Sequence, residues 1–486
     1  MAATATRRER RRLRAWSRLA LAAGRTVAGA SRLAHLGTGS VIGGKLALSL
    51  DHGLLRELAA GRDLAIVSGT NGKTTTTHLL AAALSTLGPV ATNSLGANMP
   101  PGLVAALGND RDAPRAALEV DERWVPRVLE QTGPATVVLL NLSRDQLDRS
   151  HEVRKIAQTW HEALAHLPVE RVVANADDPL VAWAATAVTR NPRATSRASK
   201  LNGNTTTDPD HQTRTDRARH RTVPISLDAI ETDPRVIWVS GGGNWTLDAT
   251  GCPECAGRIA FATGGWHCLS CSFQRPEPEW CLQADSPSAS TTSPAYAAHH
   301  IPTSEYWPLT LSLPGRVNAS NATMVLAAAT AMGAEPAAAC RAMGAITSVA
   351  GRYKVATIDG LSVRMLLAKN PAGWQEAIEL VAPPPTPCIA AINARIADGR
   401  DPSWLWDVPF ERLRGRLVVA TGERRHDLAV RLAYADVEHV IADSLTDAVH
   451  AAASTFDRRE GFIPRVDLIA NYTAFQDYLD EVGRDD

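Results

Sequence analysis

The residues with the most specific chemistry lie in Ser68-Gly69-Thr70-Asn71-Gly72-Lys73-Thr74-Thr75. Gly69 and Gly72 let backbone N–H groups crowd a polyphosphate where a Cβ would clash. A helix opening behind the loop adds the partial positive charge of its N-terminus. Lys73 can then reach the β- and γ-phosphates of ATP, and the Thr74 hydroxyl can hold Mg²⁺. A second constellation is Cys252-Pro253-Glu254-Cys255 with Cys268-Leu269-Ser270-Cys271, a C-x2-C-x12-C-x2-C array. Two such knuckles aim four thiolates at one point, which suits a structural Zn²⁺ and leaves no open position for catalysis. Gly257, Gly264 and Gly265 fit the tight turns of a ribbon. Metal binding would couple to the folding of a segment too small for its own core. Cys281, Cys340 and Cys388 are isolated and read as ordinary residues.

Three further groups could complete a phosphate chemistry. Ala116–Glu122 puts acids at the end of an apolar strand, where alternation separates Glu119 and Asp121 from Glu122. A carboxylate beside a phosphate loop is what Mg²⁺ requires, and Glu119 and Glu122 are both candidates. Asn318 and Asn321 lie one turn apart at a helix start and share a face. Their amides can donate and accept together at an adenine edge, although Asn318 would equally serve as a helix cap. Asp398-Gly399-Arg400-Asp401-Pro402-Ser403-Trp404-Leu405-Trp406-Asp407 carries three Asp and two Trp in a Gly/Pro-bearing loop, which is not core material.

The elements that must position these groups read as α/β. Leu64–Val67 is a buried strand before the phosphate loop, and Leu79–Leu84 is a helix after it. Residues 136–140 form a second apolar strand, with Asn141 and Ser143 at the C-terminal end where open α/β sheets bind ligands. Residues 91–99 form a polar loop near the phosphates, and residues 37–61 form a short lead-in with one or two helical turns. Residues 190–222 and 283–300 are poor in apolar residues and read as flexible insertions. Leu309–Leu313 alternates as a strand ahead of an Ala-rich helix. From about residue 348, strands 363–367, 388–393, 417–421 and 440–442 alternate with helices 372–381, 426–434 and 446–455. That pattern predicts a second, Rossmann-like α/β domain.

Length predicts two or three domains. The chain has 486 residues and a formal net charge of zero, so no acidic or basic class is implied as a whole. No apolar run is long enough to cross a bilayer. Arg7, Arg8, Arg10, Arg11, Arg12, Arg14 and Arg18 precede an Ala-rich stretch broken by Gly24 and Arg25. This reads as a cytosolic basic arm over residues 1–40, either solvated or drawn to an anionic membrane surface.

The Gly-Thr-Asn-Gly-Lys-Thr-Thr-Thr loop resembles that of the Mur ligase and folylpolyglutamate synthetase superfamily, which activates a carboxylate as an acyl phosphate for attack by an amine. The acids near Glu119, Asn175-Ala176-Asp177-Asp178, the Asn318/Asn321 pair and Gly351-Arg352 are similar to further motifs of that superfamily. Asn141-Leu142-Ser143-Arg144-Asp145-Gln146-Leu147-Asp148-Arg149 departs from it, with Gln146 where Mur ligases carry a metal-binding His. Lys155 does not match the register of their carbamylated Lys. The Arg-Asp-Gln-Leu-Asp-Arg run, the four-cysteine ribbon, residues 398–407 and 422–427 resemble a narrower family, MurT, from about residue 40 to 480.

The resemblance implies a Mur-ligase-type P-loop ATPase domain over 41–347 with a zinc ribbon inserted at about 245–280. A Rossmann-like, partner-docking domain would follow over 348–486. It implies ATP, Mg²⁺ and structural Zn²⁺, and ATP-dependent amidation of the D-Glu α-carboxylate of lipid II to D-isoglutamine. The ammonia would come from a GatD-like glutaminase partner, and the work would be done in the cytoplasm at the inner face of the cell membrane. The partner would bring the Cys and His of a triad, and this chain its Asp: Asp401 by place in the motif, with Asp398 and Asp407 behind it. An ionised carboxylate there fixes the His tautomer. No thiol-nucleophile motif is evident in the chain itself. The rivals are a stand-alone Mur- or folate-type amino-acid ligase and a zinc-ribbon, nucleic-acid-binding ATPase. Against the last, basic residues cluster only at the N-terminus, so no nucleic-acid partner is expected.

Overall fold

A computed structural model describes residues 13–33, 40–93, 97–144, 150–190, 233–243, 246–284, 295–347, 353–455 and 465–485. The arginines at 7–12, Gln146, the expected insertion from 191 to 222, and Gly351-Arg352 lie outside the described residues. The chain opens with α1 (Ala15–Leu33), α2 (Ser40–Leu50) and α3 (Leu54–Ala59). Residues 15–33 are therefore a folded helix packed on α2, where the sequence reading expected an arm. The two residues that break the apolar run divide between helix faces. Gly24 meets Gly43 so closely that a Cβ on either would strike the other's carbonyl, while Arg25 donates to the Gly108 carbonyl.

The first sheet is built from β1 (Asp63–Ser68), then α4 (Lys73–Ser85), β2 (Val90–Thr92), α5 (Pro100–Asn109) and β3 (Arg115–Glu119). It continues through α6 (Val125–Thr132), β4 (Thr136–Leu139), α7 (Ser150–His166), β5 (Arg171–Asn175), α8 (Pro179–Thr186) and β6 (Val236–Ser240). β7 (Ile259–Ala262) and β8 (Gly265–Cys268) form a separate antiparallel hairpin. β9 (Trp280–Ala284), β10 (Tyr296–His300) and β11 (Glu305–Pro308) then return to the first sheet, whose order is β11-β10-β9-β6-β5-β4-β1-β3-β2. From β9 to β2 all pairings are parallel, and β9-β10-β11 is an antiparallel edge. Parallel strands covered on both faces carry continuous apolar runs. Alternate residues serve two cores: Leu64 and Ile66 pack toward α5–α8, while Ala65 and Val67 pack toward α4, α9 (Arg316–Ala331) and α10 (Pro336–Gly344). Parallel neighbours β6 and β9 need a crossover between them. Here the crossover is the four-cysteine hairpin, where a helix is usual.

Two expectations are corrected in this sheet. The stretch 283–300 is not one insertion, because Gln283 and Ala284 end β9 and residues 296–300 form β10. Leu309–Leu313 is not a strand. β11 ends at Pro308, and Leu309 and Leu313 are buried in the core that α9 and α10 share.

The second sheet comprises β12 (Tyr353–Ile358), β13 (Leu361–Leu367), α11 (Pro371–Leu380), β14 (Cys388–Ala391), β15 (Val418–Thr421) and α12 (Arg425–Tyr434). β16 (His439–Ile441), α13 (Leu445–Ala453), β17 (Arg465–Ala470) and α14 (Tyr472–Asp485) complete it. Its order is β12-β13-β17-β14-β15-β16, antiparallel only at β12-β13. The alternating strands and helices read from sequence are present; the central strand β17 and the edge strand β12 were not read. Leu366, Ala390 and Ala420 face α11 and α12, and Met365, Ile389 and Val419 face α13 and α14.

Candidate nucleotide and acyl-transfer site

The loop after β1 is strapped to the end of β4 by reciprocal bonds. Asn71 N–H donates to Asn141 Oδ1 at 2.9 Å, and Asn141 Nδ2 returns a bond to the Asn71 carbonyl at 3.0 Å. Thr70 Oγ1 donates to the Ser143 carbonyl at 3.1 Å and accepts from Ser143 N–H at 3.0 Å. Gly69 has φ +147° and Gly72 +85°, and Gly72 precedes the first residue of α4. A Cβ on Gly72 would come within 3.0 Å of the Asn321 side-chain amide, so Asn321 lies directly against the loop.

Lys73 Nζ bonds the Gly69 carbonyl at 2.5 Å, the Thr70 carbonyl at 3.1 Å and Glu122 Oε1 at 3.2 Å. Burial pushes the Glu122 carboxyl above the usual carboxylate range, against the pull of Lys73. Glu119 is also buried, but its carboxylate accepts from Asn98 Nδ2 at 3.2 Å, and Asn93 clamps its backbone with two 2.8 Å bonds. The two acids left open by the sequence therefore do different things, and only Glu122 meets Lys73. A buried carboxylate with a lysine, the Thr74 hydroxyl and a glycine loop is a donor set that fits a polyphosphate and Mg²⁺.

Above the loop lies a cleft of about 260 Å³ lined from both sheets. One wall is Asn71, Thr74, Asn141, Asn318 and Asn321, and the other is Leu367, Ala368, Lys369, Gly373 and Glu376 on β13 and α11. Asn370 joins the walls: it caps α11 by accepting from Gly373 N–H at 2.9 Å and donates to Asn71 Oδ1 at 3.2 Å. Asn318 is not a cap, since α9 begins at Arg316; its amide donates back to the Pro314 carbonyl at 2.6 Å. Burial, aided by nearby Glu379, raises the Glu376 carboxyl to about 7. Glu376 was not among the residues read from sequence; a lone Glu on a helix carries no pattern that separates it from a solvated one.

Asp177 and Asp178 brace the floor. Asp178 is raised to about 6 by burial while accepting from Leu142 N–H at 2.7 Å. Asp177 pairs with Arg275 at 2.9 Å and accepts from Gly242 N–H at 2.6 Å, linking the cleft to the ribbon. In the ribbon, one sulfur from each of Cys252, Cys255, Cys268 and Cys271 lies within 4.8 Å of the others. Gly257 N–H points at Cys255 Sγ (3.4 Å) and Ser270 N–H at Cys268 Sγ (3.3 Å). Such donors favour thiolates, so the set could hold one closed-shell metal ion. Buried Trp266 pins the ribbon to β5 by donating to the Ala176 carbonyl at 3.0 Å.

The three Asp of the second domain's loop are sorted by their surroundings. Asp398 is buried and accepts from Thr473 N–H at 2.9 Å and from the Thr473 hydroxyl. Asp407 faces Arg144 of the first domain at 3.4 Å. Asp401 is exposed, and the Ser403 N–H bonded to it holds its carboxyl below the usual range.

Residues 67–231 match the family model for the Mur ligase middle domain, and residues 367–475 match the model for the MurT ligase C-terminal domain. The chain is 27% identical over 468 residues to the MurT subunit of lipid II isoglutaminyl synthase (glutamine-hydrolysing) of Streptococcus pneumoniae, covering 92% of this chain and 93% of that one. The subunit of the same name from Staphylococcus aureus is 26% identical over the same shares. A pseudomurein peptide ligase type C from Methanothermus fervidus shares the fold, with TM-score 0.60 at 15% identity over 91% of this chain and 84% of that one. MurF from Acinetobacter baumannii does so with TM-score 0.59 at 12% identity, over 90% and 80%.

Proposed function

The chain belongs to the Mur ligase family, in its MurT branch, and from that premise we propose that it is the ATP-dependent subunit of a lipid II isoglutaminyl synthase. It works in the cytoplasm at the inner face of the membrane. The D-Glu α-carboxylate of lipid II takes the γ-phosphoryl group of ATP, giving an acyl phosphate and ADP. Ammonia then attacks the carbonyl carbon and phosphate leaves, giving D-isoglutamine.

The observation that carries this reading is the cleft between the sheets, where Asn71 and Thr74 of the glycine loop and the pair Asn318 and Asn321 stand opposite α11, with the Lys73–Glu122 pair in the adjoining loop. Residues Gly69–Thr75 cradle the phosphates, and Lys73 neutralises charge on the transferred group. Mg²⁺, when bound, would share that charge, with Thr74 and Glu122 as its protein ligands; Glu119 positions the loop through Asn98. Asn318 and Asn321 read the adenine. Residues 41–347 make the ATPase domain, and residues 348–486 close the cleft and dock the partner. The ribbon cysteines hold one structural Zn²⁺. The partner is a GatD-like glutaminase, and Asp401 completes its triad; exposure and an ionised carboxylate support this choice over the buried Asp398 and the paired Asp407.

The test is co-expression with such a glutaminase and mass spectrometry of lipid II. A carboxylate-to-amide change that needs both chains supports the reading. Addition of a whole amino acid would make the chain a stand-alone ligase, and unaltered lipid II with ATP, glutamine and ammonia present would sink the proposal.

A further inference from the structure

Charge is divided unequally along this chain. Residues 1–50 hold nine arginines, one lysine and a single acid, Glu9, a net charge of +9 in a chain whose total is zero. The other residues must then carry −9. Neither α1 nor α2 contains an acid. Arg18, Arg25 and Arg32 recur at intervals of seven along α1, a spacing that keeps them on one edge of the helix. Across the exposed face from that edge, Leu33, Leu19 and Trp16 are 85%, 62% and 58% exposed, and Ile42 of α2 is 48% exposed.

Asp51 and Glu57 bond Ser17 and Arg14 at the start of α1, but neither helix carries an acid of its own, and large apolar side chains with arginines in that setting suit a helix lying in the plane of a bilayer. A polyanion such as nucleic acid would account for the arginines but would leave Leu19 and Leu33 without a partner. Trp16 fits the same setting. Its indole N–H is already donated to the Leu50 carbonyl at 2.8 Å, so the ring can leave water without orphaning a donor. No described helix is long and apolar enough to cross a membrane. The opposite face is committed to the protein: Ser17, Ala20, Leu21, Gly24 and Ala28 are buried, and α2 rests on α5. The segment leading into α5 carries Asn98, which bonds Glu119 beside the phosphate loop.

We propose that the α1–α2 hairpin is an in-plane anchor for an anionic lipid surface, with Trp16, Leu19 and Leu33 entering the acyl boundary and Arg18 and Arg32 meeting headgroups, while Arg25 stays on the Gly108 carbonyl. It deepens the lipid II reading by placing the phosphate end of the cleft next to the bilayer, but its test requires no turnover.

The full chain is floated with phosphatidylcholine vesicles, with and without phosphatidylglycerol. Binding is expected only with the anionic lipid and should fall as salt is raised. Arg18→Gln and Arg32→Gln should each lower partitioning about fivefold, and Leu19→Ser about tenfold or more. These side chains are exposed, so thermal melting of the variants should match the parent. A chain that stays in the aqueous layer, or variants that float like the parent, overturn the proposal. So does a Leu19-dependent dimer, or an Arg18- and Arg32-dependent hold on a DNA oligomer, in a chain that ignores vesicles. A chain that floats but forms no amide leaves the anchor standing and removes the reaction; one that amidates detergent-solubilised lipid II without floating does the reverse.

Discussion

Lys73 and Asp401 serve opposite halves of the proposed reaction, and their substitutions should part cleanly. Lys73→Ala removes the side chain that joins Glu122 to the loop carbonyls. Glu122, already raised by burial, takes up a proton instead of staying as an unpaired charge, so the fold should survive. Amide formation should be lost with glutamine and with free ammonia alike. Asp401→Asn should lower glutamine-dependent turnover by roughly 10⁴-fold, as for the orienting Asp of a Ser-His-Asp triad, yet leave ammonia-dependent turnover unchanged. An Asp401→Asn enzyme that ammonia cannot rescue would move this residue out of the glutaminase half. Glu376 gives a pH prediction. Its carboxyl titrates at about 7 against an ordinary 4.5, so the native state retains this proton between those values. The stability it contributes is complete below about 4.5 and is lost as pH rises through about 7. The same ionisation adds negative charge to the cleft wall, so ATP affinity should fall severalfold between pH 6 and 8. In Glu376→Gln the titration should be flat; a Gln variant with the parent's pH dependence would clear Glu376 of the effect.

Among the elements, legibility followed the range of the interactions that make them. The phosphate loop and the cysteine knuckles depend on residues a few positions apart, so spacing alone gave their geometry. Leu309–Leu313 alternates like a strand, yet the alternation records burial in the core shared with α9 and α10, and past the Leu309 N–H bond to the Tyr296 carbonyl the segment leaves the sheet. Residues 283–300 look too polar for a sheet because β9 and β10 belong to its half-exposed antiparallel edge, where His299 and Gln283 are tolerated. The ribbon yields the metal prediction: the purified chain should contain about one zinc, as a closed four-thiolate shell requires. Cys252→Ser should lose the metal and lower thermal stability far more than it alters turnover of the folded fraction. Metal analysis finding no zinc, or an iron–sulfur absorption band, would refute this.

At the level of the whole molecule, sequence separated what long-range pairing joins. Asn71 and Asn370 are 299 positions apart and touch across the cleft, and no local pattern announces such a contact. The central strand β17 went unread although its residues 466–470 are an apolar run broken only by Asp467, which is buried against Arg364 at 2.6 Å. The first helix was mistaken for an arm because its partners, α2 and the Gly108 carbonyl, lie elsewhere in the chain. The four-cysteine crossover between β6 and β9 affects the order of assembly. A crossover helix brings its own hydrogen bonds and can form as soon as it leaves the ribosome. With the proposed zinc as its closure, this connector would form only once the ion is bound, and until then β6 would have an open edge and β9, β10 and β11 no platform. Unpaired edges recruit other chains. Trace-metal supply during synthesis should therefore govern how much protein is recovered. Cell-free translation in a chelator should give aggregate, and zinc added afterwards should restore less soluble chain than the same zinc present from the start. Equal recovery in the two orders would show that the sheet can assemble before the ribbon closes.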